Sequence, residues 1–229
     1  MVTFWALSIL IVGPFLLVHA FVTRSVEFMY RVATWLGITG VRLAGIKIRV
    51  EGLERLDRSR NYIFLSNHVS NLDPPVLVSS IPGRCSVLVK KEVFRVPILG
   101  TAMRLADLVP VDRHNRESAI ESVRAAVEVM RHHVHMVIFV EGTRSRDGRL
   151  LPFKKGPFHL AMEVGAPVVP VTLLGTSECW PKGSFAMRGG TATAVFHPPM
   201  EPADFADREE LMAAVRKIIA SRLPEERRN

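Results

Sequence analysis

The chain has 229 residues, 48% hydrophobic and 23% charged, with a formal net charge of +8. That composition excludes a disordered chain and suits one compact domain with its own core. The positive excess points to an anionic partner, whether nucleic acid, an anionic membrane surface or an anionic substrate.

From Val2 to Thr23 the only titratable side chain is His19, and the first formal charge is Arg24. A helix of that length measures roughly 30 Å, about the thickness of a bilayer's hydrocarbon core. No positive segment precedes the run and no small-x-small cleavage site follows it, so it reads as a retained anchor rather than a cleaved signal. Pro14 after Gly13 leaves two dispositions open: a kinked span, or a helix that dips into one leaflet. Arg24, Arg31, Arg42, Lys47 and Arg49 follow, against the single acid Glu27 before Glu51. By the positive-inside rule they put the downstream domain on the cytoplasmic side. Phe28, Val32, Trp35 and Leu36 fall at helical spacing between Val26 and Ala44, which gives either an interfacial helix or one packed on the domain. The division expected is therefore an N-terminal membrane anchor over residues 1–45 and one domain over residues 46–229.

Strand and helix patterns alternate from there. Ile46 to Val50, Tyr62 to Leu65, Ser86 to Val89, Leu108 to Val111, Met136 to Val140, Val168 to Leu174 and Thr191 to Phe196 read as strands. Asp73-Pro74-Pro75 reads as a helix start with Asp at the cap. Asn115 caps a helix with Ile120, Val123, Val127 and Met130 on one face. Phe158 to Val164 is a short helix stopped by Gly165. Glu209 to Leu223 closes the chain with Leu211, Val215, Ile218 and Ile219 on its apolar face. The pattern predicts an α/β class: one layered domain with a largely parallel central sheet flanked by helices, after the N-terminal helix or helix pair. The two cysteines, Cys85 and Cys179, form neither metal-ligand spacing nor a disulfide framework, which suits a reducing compartment.

The polar motifs cluster just after predicted strand ends, where open α/β sheets bind ligands. Asn67-His68 follows the second strand, with Asp73 five residues beyond the histidine. A carboxylate on one imidazole nitrogen fixes the tautomer and prepares the other nitrogen as a general base. Residues at that separation face apart on a helix and on a strand, so they meet only if the chain turns between them. The blander readings are a structural histidine and an aspartate that caps a helix, or a carboxylate that does both with one oxygen for each. One His and one Asp fall short of a metal's usual ligand set, and His114, His132, His133 and His135 lie on or beside a surface helix, so no metal is expected.

After Met136 to Val140 comes Glu141-Gly142-Thr143-Arg144-Ser145, then Phe153-Lys154-Lys155-Gly156. A glycine lets backbone approach a ligand, hydroxyl and N–H groups donate to phosphate oxygens, and Arg grips them bidentately. This composition suits a phosphate monoester; the alternative is an exposed basic loop. The G-x-x-x-x-G-K spacing of a Walker loop is absent. Arg113, after Asp112, and Lys90 are further candidate phosphate contacts or members of surface ion pairs.

Together these residues resemble the glycerolipid acyltransferase family, of the 1-acylglycerol-3-phosphate acyltransferase type. Its N-H-x-x-x-x-D block matches Asn67, His68 and Asp73; its hydrophobic-Asp-Arg block matches Val111-Asp112-Arg113. Its F-x-E-G-T-R-S block matches Phe139 to Ser145, and its hydrophobic-Pro-hydrophobic strand matches Val169-Pro170-Val171. Each block alone is weak, and the four in order are strong. The resemblance implies transfer of a fatty acyl group from an acyl thioester, on coenzyme A or acyl-carrier protein, to the sn-2 hydroxyl of a lysophospholipid such as lysophosphatidate. His68 would be the base held by Asp73. Arg144, Gly142 and Thr143 would hold the acceptor phosphate with Arg113 and Lys154, on a loop oriented by Glu141. No cofactor and no nucleic acid is implied; membrane lipid is. Other acceptors (another lysolipid, glycerol 3-phosphate, an amino-acid lipid), a hydrolase and a non-catalytic membrane-binding protein are the alternatives.

Overall fold

A computed structural model describes residues 2–112, 116–184 and 186–228. The apolar N-terminal run, expected as a kinked span or a helix dipping into one leaflet, is a pair, α1 (Val2–Ile11) and α2 (Gly13–Thr23), bent by 42°. Pro14, in the first turn of α2, has no N–H to continue the α1 ladder, and the chain breaks there. No single helix among the described residues is long and apolar enough to cross a membrane; the bent pair together has the length and composition. Helix α3 (Glu27–Leu43) shows both faces that its sequence left open: Met29 and Val41 are buried, while Phe28 and Trp35 are exposed. These helices pack on the domain. Trp5 crosses α3 over Gly40, where a Cβ would meet the indole at 2.2 Å, so only glycine admits the crossing. The Trp5 and Trp180 rings lie 5.9 Å apart, and the Tyr30 hydroxyl accepts from Cys85 N at 2.9 Å.

The domain runs β1 (Ile46–Glu51), β2 (Ile63–Ser66), α4 (Asp73–Ser80), β3 (Cys85–Lys90), α5 (Leu99–Leu105), β4 (Val109–Val111), α6 (Arg116–Arg131), β5 (His135–Phe139), α7 (Gly156–Val164), β6 (Val168–Leu174), α8 (Thr176–Cys179), β7 (Gly190–Phe196) and α9 (Arg208–Arg222). Each expected strand is present within a residue or two, and β6 matches its expected bounds. The sheet order is β1-β7-β6-β2-β5-β3-β4, parallel throughout except for the antiparallel β6–β7 pair. Helix α5 has no counterpart in the sequence reading, and Ile120 of α6, expected on the apolar face, is 49% exposed while Ala126 is buried in its stead. The proposed cap Asn115 lies outside the described residues.

Alternation along β2 explains the layers. Phe64 packs with α3 and α4 beside Val76, Leu77 and Phe196; Ile63 and Leu65 pack with α6, α7 and α9 beside Phe158, Leu211 and Ile219. A strand covered on both faces needs apolar residues at every position, hence the unbroken run in the sequence. Each such side chain contributes about 1.5–3 kcal/mol on burial. The result is a sheet with helices on both faces and β2 near its centre, its ends fixed by neighbours on either side.

Candidate active site

The two polar segments that follow β2 and β5 meet because those strands are parallel neighbours, with Ser66 opposite Phe139. Val140 N continues the ladder to Ser66 O at 3.0 Å, so both chains leave the sheet at the same level. Asn67 locks the third strand: its amide donates to Leu173 O at 3.0 Å and its carbonyl accepts from Leu173 N at 2.8 Å, both in the core. Sequence reasoning placed Asn67 only inside a motif; this bridge to β6 is its visible function.

The chain turns between His68 and Asp73, as the spacing requires. His68 Nδ1 is 2.7 Å from Asp73 Oδ2, with the carboxylate fully buried and the imidazole side chain 10% exposed. A carboxylate oxygen only accepts, so Nδ1 carries the proton and Nε2 keeps its lone pair. The same Oδ2 also accepts from Val69 N and Ser70 N, each at 2.7 Å. This corrects the expectation that Asp73 caps a helix. The N-cap residue is Leu72, without a side-chain cap, and Asp73 is the first helical residue. Its carboxylate points back to gather the preceding turn. Nor are its oxygens shared out one per role, since Oδ1 is buried with no hydrogen-bond partner among the described residues. Ser70 Oγ donates to Trp180 O at 2.7 Å, and the His68 ring stacks on Phe139 at 4.2 Å between centroids. Between Asp73, the Glu141 bond to its N–H and Phe139, His68 is fixed at ring and backbone.

Glu141 is buried, with both oxygens occupied by backbone: Oε1 accepts from His68 N at 2.7 Å and Oε2 from Leu151 N at 2.9 Å. Burial pushes its carboxyl up to about 7, against the lowering effect of those two N–H groups. Its contacts are those of a group that orients the loop. Ser145 N donates to His68 O at 2.8 Å and Lys154 N to Val140 O at 2.8 Å, which fold the loop back over the strand ends. Gly142 turns the chain at φ 67°, and a Cβ there would stand 3.1 Å from Lys154 Cγ. Its absence lets the lysine stem lie against the turn. Arg144 Nη1 donates to Asn71 Oδ1 at 2.7 Å, and Lys182 Nζ donates to Arg144 O at 2.6 Å. Lys182 had no signal in the sequence, since it lies outside every motif. Thr143 and Lys154 are exposed at the rim. Lys91 pairs with Asp112. Arg113 lies outside the described residues.

His68 opens onto a groove of about 590 Å³. Arg144, Asn71 and Lys90 line its polar side, and Met29, Val87, Leu99 and Met103 its apolar side. Phe139 also walls a smaller cleft of about 270 Å³ bounded by Gly142, Lys154 and Gly156. The combination offers a proton acceptor between a cationic rim and an apolar trough. Among the described residues, no group of three or more His, Cys, Asp or Glu side chains is gathered as metal ligands would be.

A family model described as Acyltransferase matches residues 47–174. The chain is 40% identical over 162 residues to a 1-acyl-sn-glycerol-3-phosphate acyltransferase of Limnanthes douglasii, covering 70% of this chain and 57% of that protein. To the human protein named 1-acyl-sn-glycerol-3-phosphate acyltransferase alpha it is 32% identical over 159 residues, 69% of this chain and 56% of that one. To the Borreliella burgdorferi 1-acyl-sn-glycerol-3-phosphate acyltransferase it is 30% identical over 183 residues, 79% and 73% of the two chains. It thus spans less than two thirds of the length of the plant and human relatives. The crystal structure of the 1-acyl-sn-glycerophosphate acyltransferase PlsC from Thermotoga maritima superposes with a TM-score of 0.82 at 28% identity, over 95% of this chain and 89% of that one.

Proposed function

Because this chain belongs to the Acyltransferase family, we propose that it transfers a fatty acyl group from an acyl thioester to the sn-2 hydroxyl of lysophosphatidate, making phosphatidate. The observation that carries the reading is His68, held by Asp73 at 2.7 Å and opening between a cationic rim and an apolar trough. The relatives' names supply the acceptor. The rim suits its phosphate, and the trough suits an aliphatic chain.

In this reading His68 Nε2 takes the proton of the acceptor hydroxyl as its oxygen bonds to the thioester carbonyl carbon. The imidazolium that forms is stabilised by Asp73 through Nδ1–H. The tetrahedral oxyanion collapses, the carbon–sulfur bond breaks, and the thiolate leaves with the proton carried by His68. No acyl-enzyme is required. Arg144 and Lys154, with the turn at Gly142 and Thr143 and with Arg113, hold the acceptor phosphate. The donor is a thioester on coenzyme A or acyl-carrier protein. The bent pair α1–α2 holds the enzyme in the membrane: Phe15, Phe21 and Val22 are 63% exposed or more, as lipid contact asks. The basic flank after it sets the domain on the cytoplasmic side.

The test is acyl transfer by purified protein in liposomes, with labelled acyl-coenzyme A or acyl-carrier protein and lysophosphatidate, beside His68→Ala. Phosphatidate should form with the parent and fall by roughly 10²–10⁴-fold in the variant. Acyl release to water without lysophosphatidate as acceptor would replace the reading with a hydrolase, and equal rates in both proteins would remove His68 from the chemistry.

A further inference from the structure

The loop from Gly142 to Lys155 is tied from a direction that no motif indicates. Arg216, on α9, donates from Nη1 to Leu151 O at 2.8 Å and from Nη2 to Leu150 O at 3.2 Å. Its guanidinium lies 5.2 Å from the centroid of the Phe153 ring. Leu151 N in turn donates to Glu141 Oε2, and Glu141 Oε1 accepts from His68 N. A continuous chain of contacts therefore runs from the last long helix through one loop peptide and one buried carboxylate to the backbone of His68. Its outer end is firm. Helix α9 is seated by Leu211, Val215 and Ile219, each fully buried, and is capped by Asp207, which accepts from Glu210 N at 2.8 Å.

Arginine suits this place for a physical reason. Its planar fork donates to two successive carbonyls while its face lies on an aromatic ring; lysine, a point donor on a flexible stem, does one of these at a time. The loop carbonyls are directed at α9, which leaves the Leu151 N–H directed at Glu141.

We propose that Arg216 is a positioning residue for the acyl transfer, fixing the Leu150–Phe153 segment so that Glu141 holds the His68 backbone in place. It rests on the function proposed above. Arg216 acts in a second way, through charge. Glu141 is faced by Asp73 from α4, which pushes its carboxyl up, and by Arg216 from α9, which pulls it down. Loss of the cation therefore favours the neutral acid, whose O–H no longer leaves both oxygens free to accept from N–H groups.

The experiment compares Arg216→Met and Arg216→Lys with the parent in the liposome assay across pH, alongside thermal melting and amide hydrogen exchange. In Arg216→Met, kcat should fall a few-fold, no more than in Glu141→Gln, since the tie acts through that carboxylate, with KM for the acceptor little changed. The acid limb of the kcat profile should move to higher pH, and exchange at the Leu151 amide should quicken. Arg216→Lys should keep the acid limb of the parent while recovering only part of kcat. A parental acid limb and kcat in Arg216→Met would overturn the proposal, as would losses in both variants that follow melting temperature alone. If the parent itself transfers no acyl group, the proposed function falls, and amide exchange still decides the tie: unchanged exchange at the Leu151 amide in Arg216→Met would overturn it.

Discussion

The two segments that build the site are made in opposite ways. The turn from Asn67 to Asp73 is buried almost throughout, and its N–H groups at His68, Val69 and Ser70 all end on carboxylates of the site itself. The loop from Gly142 to Lys155 keeps its backbone tied at a few points and leaves Thr143, Lys154 and Lys155 in solvent. The difference follows from what each must do in the proposed reaction. A general base works only from a fixed tautomer and a fixed angle, which favours a dry, fully bonded turn. An anionic headgroup arriving from a membrane is met by reach and charge, which need exposed cations on a loop.

Breaking the first segment should have the largest effect. In Asp73→Asn the amide offers an NH₂ or a carbonyl to His68 Nδ1, Val69 N and Ser70 N, all currently served by one carboxylate oxygen. Turnover should drop by about 10²–10⁴-fold as the tautomer is lost. Initial rates at saturating acceptor measure it, and a drop confined to KM would contradict the division of labour. In the second segment, Arg144→Ala removes one charged donor, worth about 1.5–3 kcal/mol. Acceptor KM should rise by roughly ten- to a hundredfold with kcat less affected, and the defect should deepen with salt. A pure kcat effect would place Arg144 with the base.

Glu141 joins the two segments and should give the smallest change in turnover. Glu141→Gln keeps an acceptor for one N–H and turns a donor towards the other, a few-fold loss at pH 8 if about 1 kcal/mol is forfeited. Its sharper signature is in stability. The folded carboxyl titrates at about 7 and the unfolded one near its ordinary value of 4.5. Between those values the folded state binds more protons, so stability conferred by the protonated acid is lost as pH rises from about 4.5 to 7. The glutamine has no such slope. The melting temperature of the variant minus that of the parent should therefore grow more positive from pH 5 to pH 8. A difference that shrinks over that range would mean that the bonded carboxylate is favoured at neutral pH.

The sequence made much of this legible because buried parallel strands leave unbroken apolar runs, and residues 63–65, 136–140 and 168–171 are such runs. Polar residues come directly after the first two of these runs, which is why the site was visible at the strand ends. The strand order was not, since β6 and β7 reverse direction and β1 joins β7 through contacts across most of the chain. Helix α5 was hidden for a local reason: it comes after Ile98 at φ 64° and carries Gly100, neither a helix signal. The backward aim of the Asp73 carboxylate and the tie from Arg216 depend on where a side chain points after folding. Spacing along a chain carries no such direction.

The pin between Asn67 and Leu173 has a consequence for how the protein comes to work. Its partners stand 106 residues apart in the chain, and those of the bond between His68 and Glu141 stand 73 apart. Contacts of such long range form only when the intervening chain has already paid its loop-closure entropy. No fragment that ends before β6 assembles the turn in its native form. Competence for the proposed chemistry is then acquired only once β6 has joined the sheet, and the proposed acyl transfer is itself a gauge of that step.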